Sequence, residues 1–272
     1  MAWAELVDEY LGELRARGLS HHTLRGYRAD LLRLSLDLPV DPADVRNALD
    51  GLAPATRARR ASALRGWWTW ARTAGQVTGE LDLEPGPRPP SDRARAPEST
   101  AVRAVLDAIP RQADRDQLLF RLLATLGLRP GEALALRAED VDTEAATLDV
   151  TGWGGRRRQV LIDDRTLNIR LHNWLWSTGI ESGPLFRSPT GEGALRYQSV
   201  AQRWARYTTA AGVTLSLGDL RRAHSAELLA GGVPEWVVRD RIGQSTGDLP
   251  GARAGDAAAA ITAWSAATRK AG

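Results

Sequence analysis

The stretch LLATLGLRPGEALALRAEDVD, residues 122–142, holds the end of one predicted helix (112–126), a break at Gly127-Leu128-Arg129, and a second predicted helix (130–137). Toward the C-terminus, ATLDV (146–150) and RQVLI (158–162) are short extended runs on either side of TGWGGRRR, a glycine-rich turn. Helical spacing resumes at 166–177, 197–211, 219–230, 233–242 and 256–269, and toward the N-terminus one more helix is predicted at 99–109. The pattern is mainly α with a small antiparallel β-sheet.

The first 80 residues form a separate helical group. Trp3, Leu6, Tyr10 and Leu14 recur at helical spacing, and Gly18 sits where a helix stops. Ser20 offers an N-cap for a second helix through Tyr27, Leu31 and Leu34. Asp41-Pro42 pairs a capping residue with proline at the first helical position, and a fourth helix runs from about Pro54 to Thr73. LEPGPRPPSDRARAPE (83–98) holds five prolines and cannot continue a helix. We therefore expect a helical domain over 1–82, a linker over 83–98 with the boundary near residue 90, and a second domain over 99–272.

Composition narrows the function classes. The chain is 43% hydrophobic and 25% charged, with no apolar run near the length of a membrane span, so no membrane partner is expected. The acidic, helically patterned N-terminus does not resemble a signal peptide. Without cysteine there is no disulfide or thiolate metal site, which fits a reducing cytoplasm. Four histidines, with His21 and His22 adjacent, make no metal-ligand spacing; neither metal nor cofactor is expected. The net charge is +3, weak by itself as a sign of a nucleic-acid partner. Lys270 is the only lysine, so chemistry needing an internal lysine is excluded.

Three blocks of the second domain resemble the tyrosine recombinases of the phage-integrase family, Xer-like in type. Within 122–142, Gly127, Leu128, Arg129, Glu132, Leu134, Leu136, Asp140 and Asp142 match that family's "TGLR-x-x-E" turn and "LxxxDVD" continuation. LDVTGWGGRRRQVLI resembles its "GKGxKxR" hairpin, and LSLGDLRRAHSAELLAGGVPEWVVRDRIGQST (215–246) its "HxLRHTFAxxLLxxG…VVQxxLGHSS" segment. HHTLRGYRADLLRL (21–34) and ATRARRASALRGWWTWA (55–71) resemble its DNA-clamping helices more weakly. The resemblance implies an N-terminal SAM-like helical core-binding domain followed by a tyrosine-recombinase catalytic-type domain.

In that family a tyrosine attacks the scissile phosphate, two arginines hold its oxygens, and a lysine and two histidine-type residues move protons. By resemblance Arg129 and Arg221 match the two arginines, and Glu132 an acidic residue orienting the first. The other positions depart from the pattern: Trp153 stands for the lysine, Gly218 and Gln244 for the histidines, and Arg253 for the tyrosine, with no tyrosine after Tyr207. Guanidinium stays charged, so Arg156, Arg157 and Arg158 on the hairpin are poor proton donors. Retained phosphate recognition without proton transfer or attack implies a DNA-binding protein inactive in strand cleavage, with an accessory, architectural or regulatory role in recombination or integration. Two alternatives stand: an active recombinase with a displaced nucleophile (Tyr197 or Tyr207) or one supplied in trans, and a protein-interaction scaffold.

Double-stranded DNA is the expected partner, and a nucleoid-associated place in the cytoplasm follows. Between Gly51 and Gly79 lie Arg57, Arg59, Arg60, Arg65 and Arg72 with no acidic residue. Helical spacing is read as placing Arg57, Arg60 and Arg65 on one side and Leu64, Trp67, Trp68 and Ala71 on the apolar other. With Arg129, Arg156, Arg157, Arg158, Arg221 and Arg222 they make the expected DNA surface, Arg203 and Arg206 being weaker candidates; a solvated basic face is the alternative. Trp67, Trp68 and Trp70 are expected to pack rather than stack on bases, while Trp153 sits where the family reaches the minor groove. In the tail, Asp256 is the expected N-cap of a helix bearing Ile261 and Trp264 on one face, docked on another protomer, on an active recombinase, or on its own domain.

Overall fold

The structure, a computed structural model, describes residues 2–17, 19, 21–34, 36, 39–83, 96–152, 155–189, 191, 193–244 and 251–271. It divides into two compact units, Met1–Arg95 and Ala96–Gly272. Most of the expected linker, and Gly18, Ser20 and Trp153, lie outside the described residues.

The first unit contains α1 (Trp3–Ala16), α2 (His21–Leu32), α3 (Pro42–Asn47) and α4 (Pro54–Thr73). Leu6, Val7, Leu31, Leu49, Leu64 and Trp67 are almost wholly buried between them. Trp3 meets Trp67 edge-on at 4.7 Å and donates its indole N–H to the Leu31 carbonyl (3.0 Å). Asp41 caps α3 as expected, accepting from the Ala43 amide (2.6 Å). Trp67 and Trp68 are core residues, and Trp70 is half-buried beside Tyr10.

The basic face of α4 needs correction. Arg60 lies three and four residues from Arg57 and Leu64 and seven from Trp67, so the helix turns it toward the core with them. Its guanidinium sits 3.9 Å from Asp30, whose carboxylate is buried and also accepts from Arg59 (2.5 Å). A buried carboxylate requires such partners. Arg65 is exposed and Arg57 half-buried.

The second unit begins with α5 (Ser99–Asp107), α6 (Asp114–Leu126) and α7 (Pro130–Ala135). A three-stranded antiparallel sheet follows, β1 (Val141–Asp142), β2 (Thr147–Thr151) and β3 (Arg157–Leu161), in the order β1-β2-β3. β2 and β3 pair with Val150 opposite Arg158, and the two-residue β1 was too short to show in the sequence pattern. Then come α8 (Arg165–Thr178), α9 (Tyr197–Ala210), α10 (Leu217–Ala230), α11 (Glu235–Arg241) and α12 (Gly251–Ala271). The core joins α5, α6, the sheet, α8, α9 and α10 through Val105, Leu119, Leu123, Val150, Leu171, Val200 and Leu220.

The tail helix starts five residues before the expected cap, which places Asp256 inside α12. Ile261 is buried against Leu228, Val233, Val237 and Val238 of its own domain, with Trp264 packed beside it. This packing on its own domain is one of the expected dockings of this helix.

Candidate functional site

The break at Gly127-Leu128-Arg129 builds the site. Gly127 ends α6 in the left-handed conformation (φ +64°), and a Cβ there would stand 2.6 Å from the His224 ring. Pro130 then starts α7, and Glu132 reaches back to accept from the Arg129 amide (2.8 Å) and from its guanidinium (2.9 Å). The carboxylate is 5% exposed.

Arg158 enters from β3. Its guanidinium binds Glu132 through two parallel hydrogen bonds of 3.0 Å each, the geometry guanidinium and carboxylate share. Arg221, from the first turns of α10, stands 4.0 Å from the same carboxylate. Three arginines from three elements thus converge on one carboxylate, and the fixed charge has an excess of positive sign. Arg158 and Arg221 are each 12% exposed along the side chain, whereas Arg129 is 41% exposed.

Backbone carbonyls complete the support. Arg221 donates to the Gly127 carbonyl (3.0 Å) at the end of α6 and to the Ile242 carbonyl at the end of α11. Arg158 donates its Nε–H to the Arg241 carbonyl (3.0 Å). Helix C-termini carry partial negative charge, so both ends favour cations. Burial, with Arg129 and Arg158 nearby, lowers the Arg221 pKa to about 10. It remains protonated at neutral pH. Burial pushes the Glu132 carboxyl up, but hydrogen bonds from Arg158 and Arg129 outweigh it and hold the group below its usual range.

Gly243 closes one side with φ +65°, and a Cβ there would lie 2.7 Å from Arg158 Nη1. Gly243→Ala is expected to cost about 1–2 kcal/mol in urea unfolding from the left-handed backbone alone. A loss confined to that range would show that Arg158 yields freely, and an unchanged midpoint would overturn the expected backbone cost.

The remaining sequence-predicted residues separate into groups. Gly218 is exposed near the start of α10, and a Cβ there would meet nothing closer than Ser216 Oγ at 3.7 Å. Gln244 is exposed just past α11, and Arg253 belongs to α12. Arg222 forms an ion pair with Asp219, Arg157 lies 3.8 Å from Asp149, and Arg203 is held at 3.0 Å by the buried Asp116. Arg156 is exposed on the hairpin. The Tyr207 hydroxyl donates to Asp116 (2.7 Å), and burial together with that carboxylate raises its pKa, which disfavours the phenolate a nucleophile needs. Tyr197 is half-exposed at the start of α9.

Sequence reasoning missed two features. Arg158 was not distinguished from Arg156 and Arg157, although the alternation of a strand places it on the same face as the buried Val160. Arg241 was not singled out, yet it is 6% exposed and falls on the helical face of Val237 and Val238.

A two-domain chain with this helical order, hairpin and arginine cluster has the tyrosine-recombinase fold. Residues 98–247 match the phage integrase family, and residues 7–75 match the phage integrase N-terminal SAM-like domain. The chain belongs to the phage integrase family. It is 28% identical to tyrosine recombinase XerC of Chromobacterium violaceum, over 89% of this chain and 86% of that one. It is 30% identical to XerC of Rhodospirillum centenum, over 85% and 76%. A lambda integrase (75–356) dimer bound to a COC′ core site has the same fold, with a TM-score of 0.70 at 15% identity over 92% of this chain and 99% of that one.

Proposed function

We propose that this protein binds duplex DNA by clamping a backbone phosphate with Arg129, Arg158 and Arg221, and that it does not cleave the strand it holds. The observation carrying this reading is the convergence of three guanidiniums on the single carboxylate of Glu132. Such a cluster is under-neutralised, and phosphate oxygens match its donors. Gly218, Gln244 and Arg253 bring no group that titrates near neutrality and no phenol, so general acid–base and nucleophilic roles lack carriers at the family's positions. The role is then accessory, architectural or regulatory. The lambda integrase relative assembles on DNA as a dimer, and oligomer formation on DNA is part of the proposal for this chain.

The test is duplex binding across a salt series. Binding that weakens as salt rises is expected, and Arg221→Ala should reduce the salt slope by about one phosphate contact. No salt-sensitive binding at micromolar protein overturns the proposal. A nicked suicide substrate, alone and with a relative carrying an intact tyrosine, is expected to leave this chain without a covalent adduct. An adduct on this chain would instead establish a displaced nucleophile.

A further inference from the structure

We propose that Arg241 is the positioning residue of the arginine cluster: its buried side chain fixes the end of α11, whose last carbonyls hold Arg158 and Arg221. This deepens the phosphate-clamp reading and rests on it for its consequence in binding, although not for its geometry.

Arg241 spreads its guanidinium over three elements and the loop that follows β3. Nε–H donates to His224 Nε2 on α10 (3.0 Å), Nη1 to the Leu161 carbonyl ending β3 (3.0 Å), and Nη2 to the Thr125 carbonyl of α6 (3.4 Å). The same Nη2 forms an ion pair with Asp163, both side chains being 4% exposed. A buried cation is tolerated only when its donors are satisfied, and a guanidinium fork can reach several acceptors in different directions. These anchors tie the main chain of residue 241 to the second unit's core.

That main chain then carries the cluster. The Arg241 carbonyl accepts from Arg158 Nε, and the next carbonyl, of Ile242, accepts from Arg221 Nη2. Arg221 is further held by Gly127, one residue beyond the end of α6 and two from the Thr125 carbonyl that Arg241 itself binds. One side chain therefore references both helix ends on which two of the three guanidiniums rest. His224 takes part only as an acceptor at Nε2, which requires a neutral ring.

The test uses the full chain with Arg241→Met and Arg241→Lys. The Nε–H resonance of Arg158, identified by its loss in Arg158→Lys, reports the bond to the Arg241 carbonyl directly. Its exchange with solvent is expected to speed up about ten- to a hundredfold in Arg241→Met, the loss of one charge-assisted hydrogen bond. A smaller change of the same sign is expected in Arg241→Lys, whose point charge keeps Asp163 partnered but cannot span the other anchors. Unfolding midpoints by circular dichroism confirm that the variants are measured folded, and Arg241→Lys carries the test if Arg241→Met is not. Unchanged exchange in a folded variant overturns the proposal, because a merely structural arginine would alter stability without freeing Arg158. A binding cycle separates this from the clamp reading. Arg241→Met should weaken duplex binding in the parent, yet add no further loss in an Arg158→Ala/Arg221→Ala background. If that background binds DNA as the parent does, the clamp reading fails while the exchange rate still decides the role of Arg241.

Discussion

Glu132→Ala is expected to lower the unfolding free energy by about 3–5 kcal/mol, the effect of removing one partner from a buried ion pair. The carboxylate takes two hydrogen bonds from Arg158, one from the Arg129 guanidinium and one from the Arg129 amide, and faces Arg221 at 4.0 Å. Alanine leaves three guanidiniums in mutual repulsion and uncaps the start of α7. Glu132→Gln, which keeps the shape and loses the charge, should fall between parent and alanine. Inorganic phosphate should restore more stability to Glu132→Ala than to the parent, because a bound anion adds to folding stability as RT ln(1 + [L]/Kd). A urea midpoint unchanged by Glu132→Ala would mean that the three arginines need no counter-charge.

Acidification should destabilise the protein through His224. His224 is 2% exposed, and its pKa is driven well below 6.5 by burial first and then by the Arg241 and Arg221 cations. The unfolded chain therefore binds a proton near pH 6.5 that the folded chain refuses. This contribution to stability is complete above pH 6.5 and shrinks as pH falls toward the folded value, by up to about 1.4 kcal/mol per unit. The groups facing His224 are Arg241 from α11, Arg221 from α10 and, through Arg241, Asp163 ahead of α8. Glu227, one turn further along α10, has its pKa raised by burial and acts in the opposite sense, so a control is needed. His224→Gln retains an acceptor for Arg241 without titrating. Its melting temperature should vary less between pH 7 and pH 5 than the parent's, and parallel profiles for the two proteins would remove His224 as the cause.

The fold was legible because its signals are periodic and local. Leucines of α6, the glycine break at 127, the hairpin around TGWGGRRR and the Asp41-Pro42 cap each appear in a few adjacent residues and recur in the structure. The positions of Arg129, Glu132 and Arg221 were legible through motif resemblance, and their meeting at one carboxylate required the folded chain. The misreadings share one physical origin. Arg60, Arg158 and Arg241 occupy inward positions of a helix or strand, where the pattern calls for an apolar residue. In a chain whose basic residues are nearly all arginine, sequence pattern reads Arg60 and Arg158 as surface charge and does not single out Arg241. Each inward side chain has a carboxylate from another element beside it: Asp30, Glu132 or Asp163. Those pairings join residues 26 to 78 positions apart along the chain, which no local pattern relates, so only tertiary contact reveals them.

The carboxylate at the centre of the cluster also gives the site a direction. Glu132 Oε1 accepts from Arg129 and Arg158, and Oε2 from the Arg129 amide and Arg158, so both oxygens are occupied from within the protein. The carbonyls of Gly127, Arg241 and Ile242 are likewise turned inward to arginine. Among the described residues, what the cluster turns outward is chiefly N–H. A molecule that offers lone pairs finds donors waiting, while an ammonium seeking an acceptor meets oxygens already engaged by arginine. The cluster is therefore biased by hydrogen-bond sense toward acceptors before shape or sequence enters.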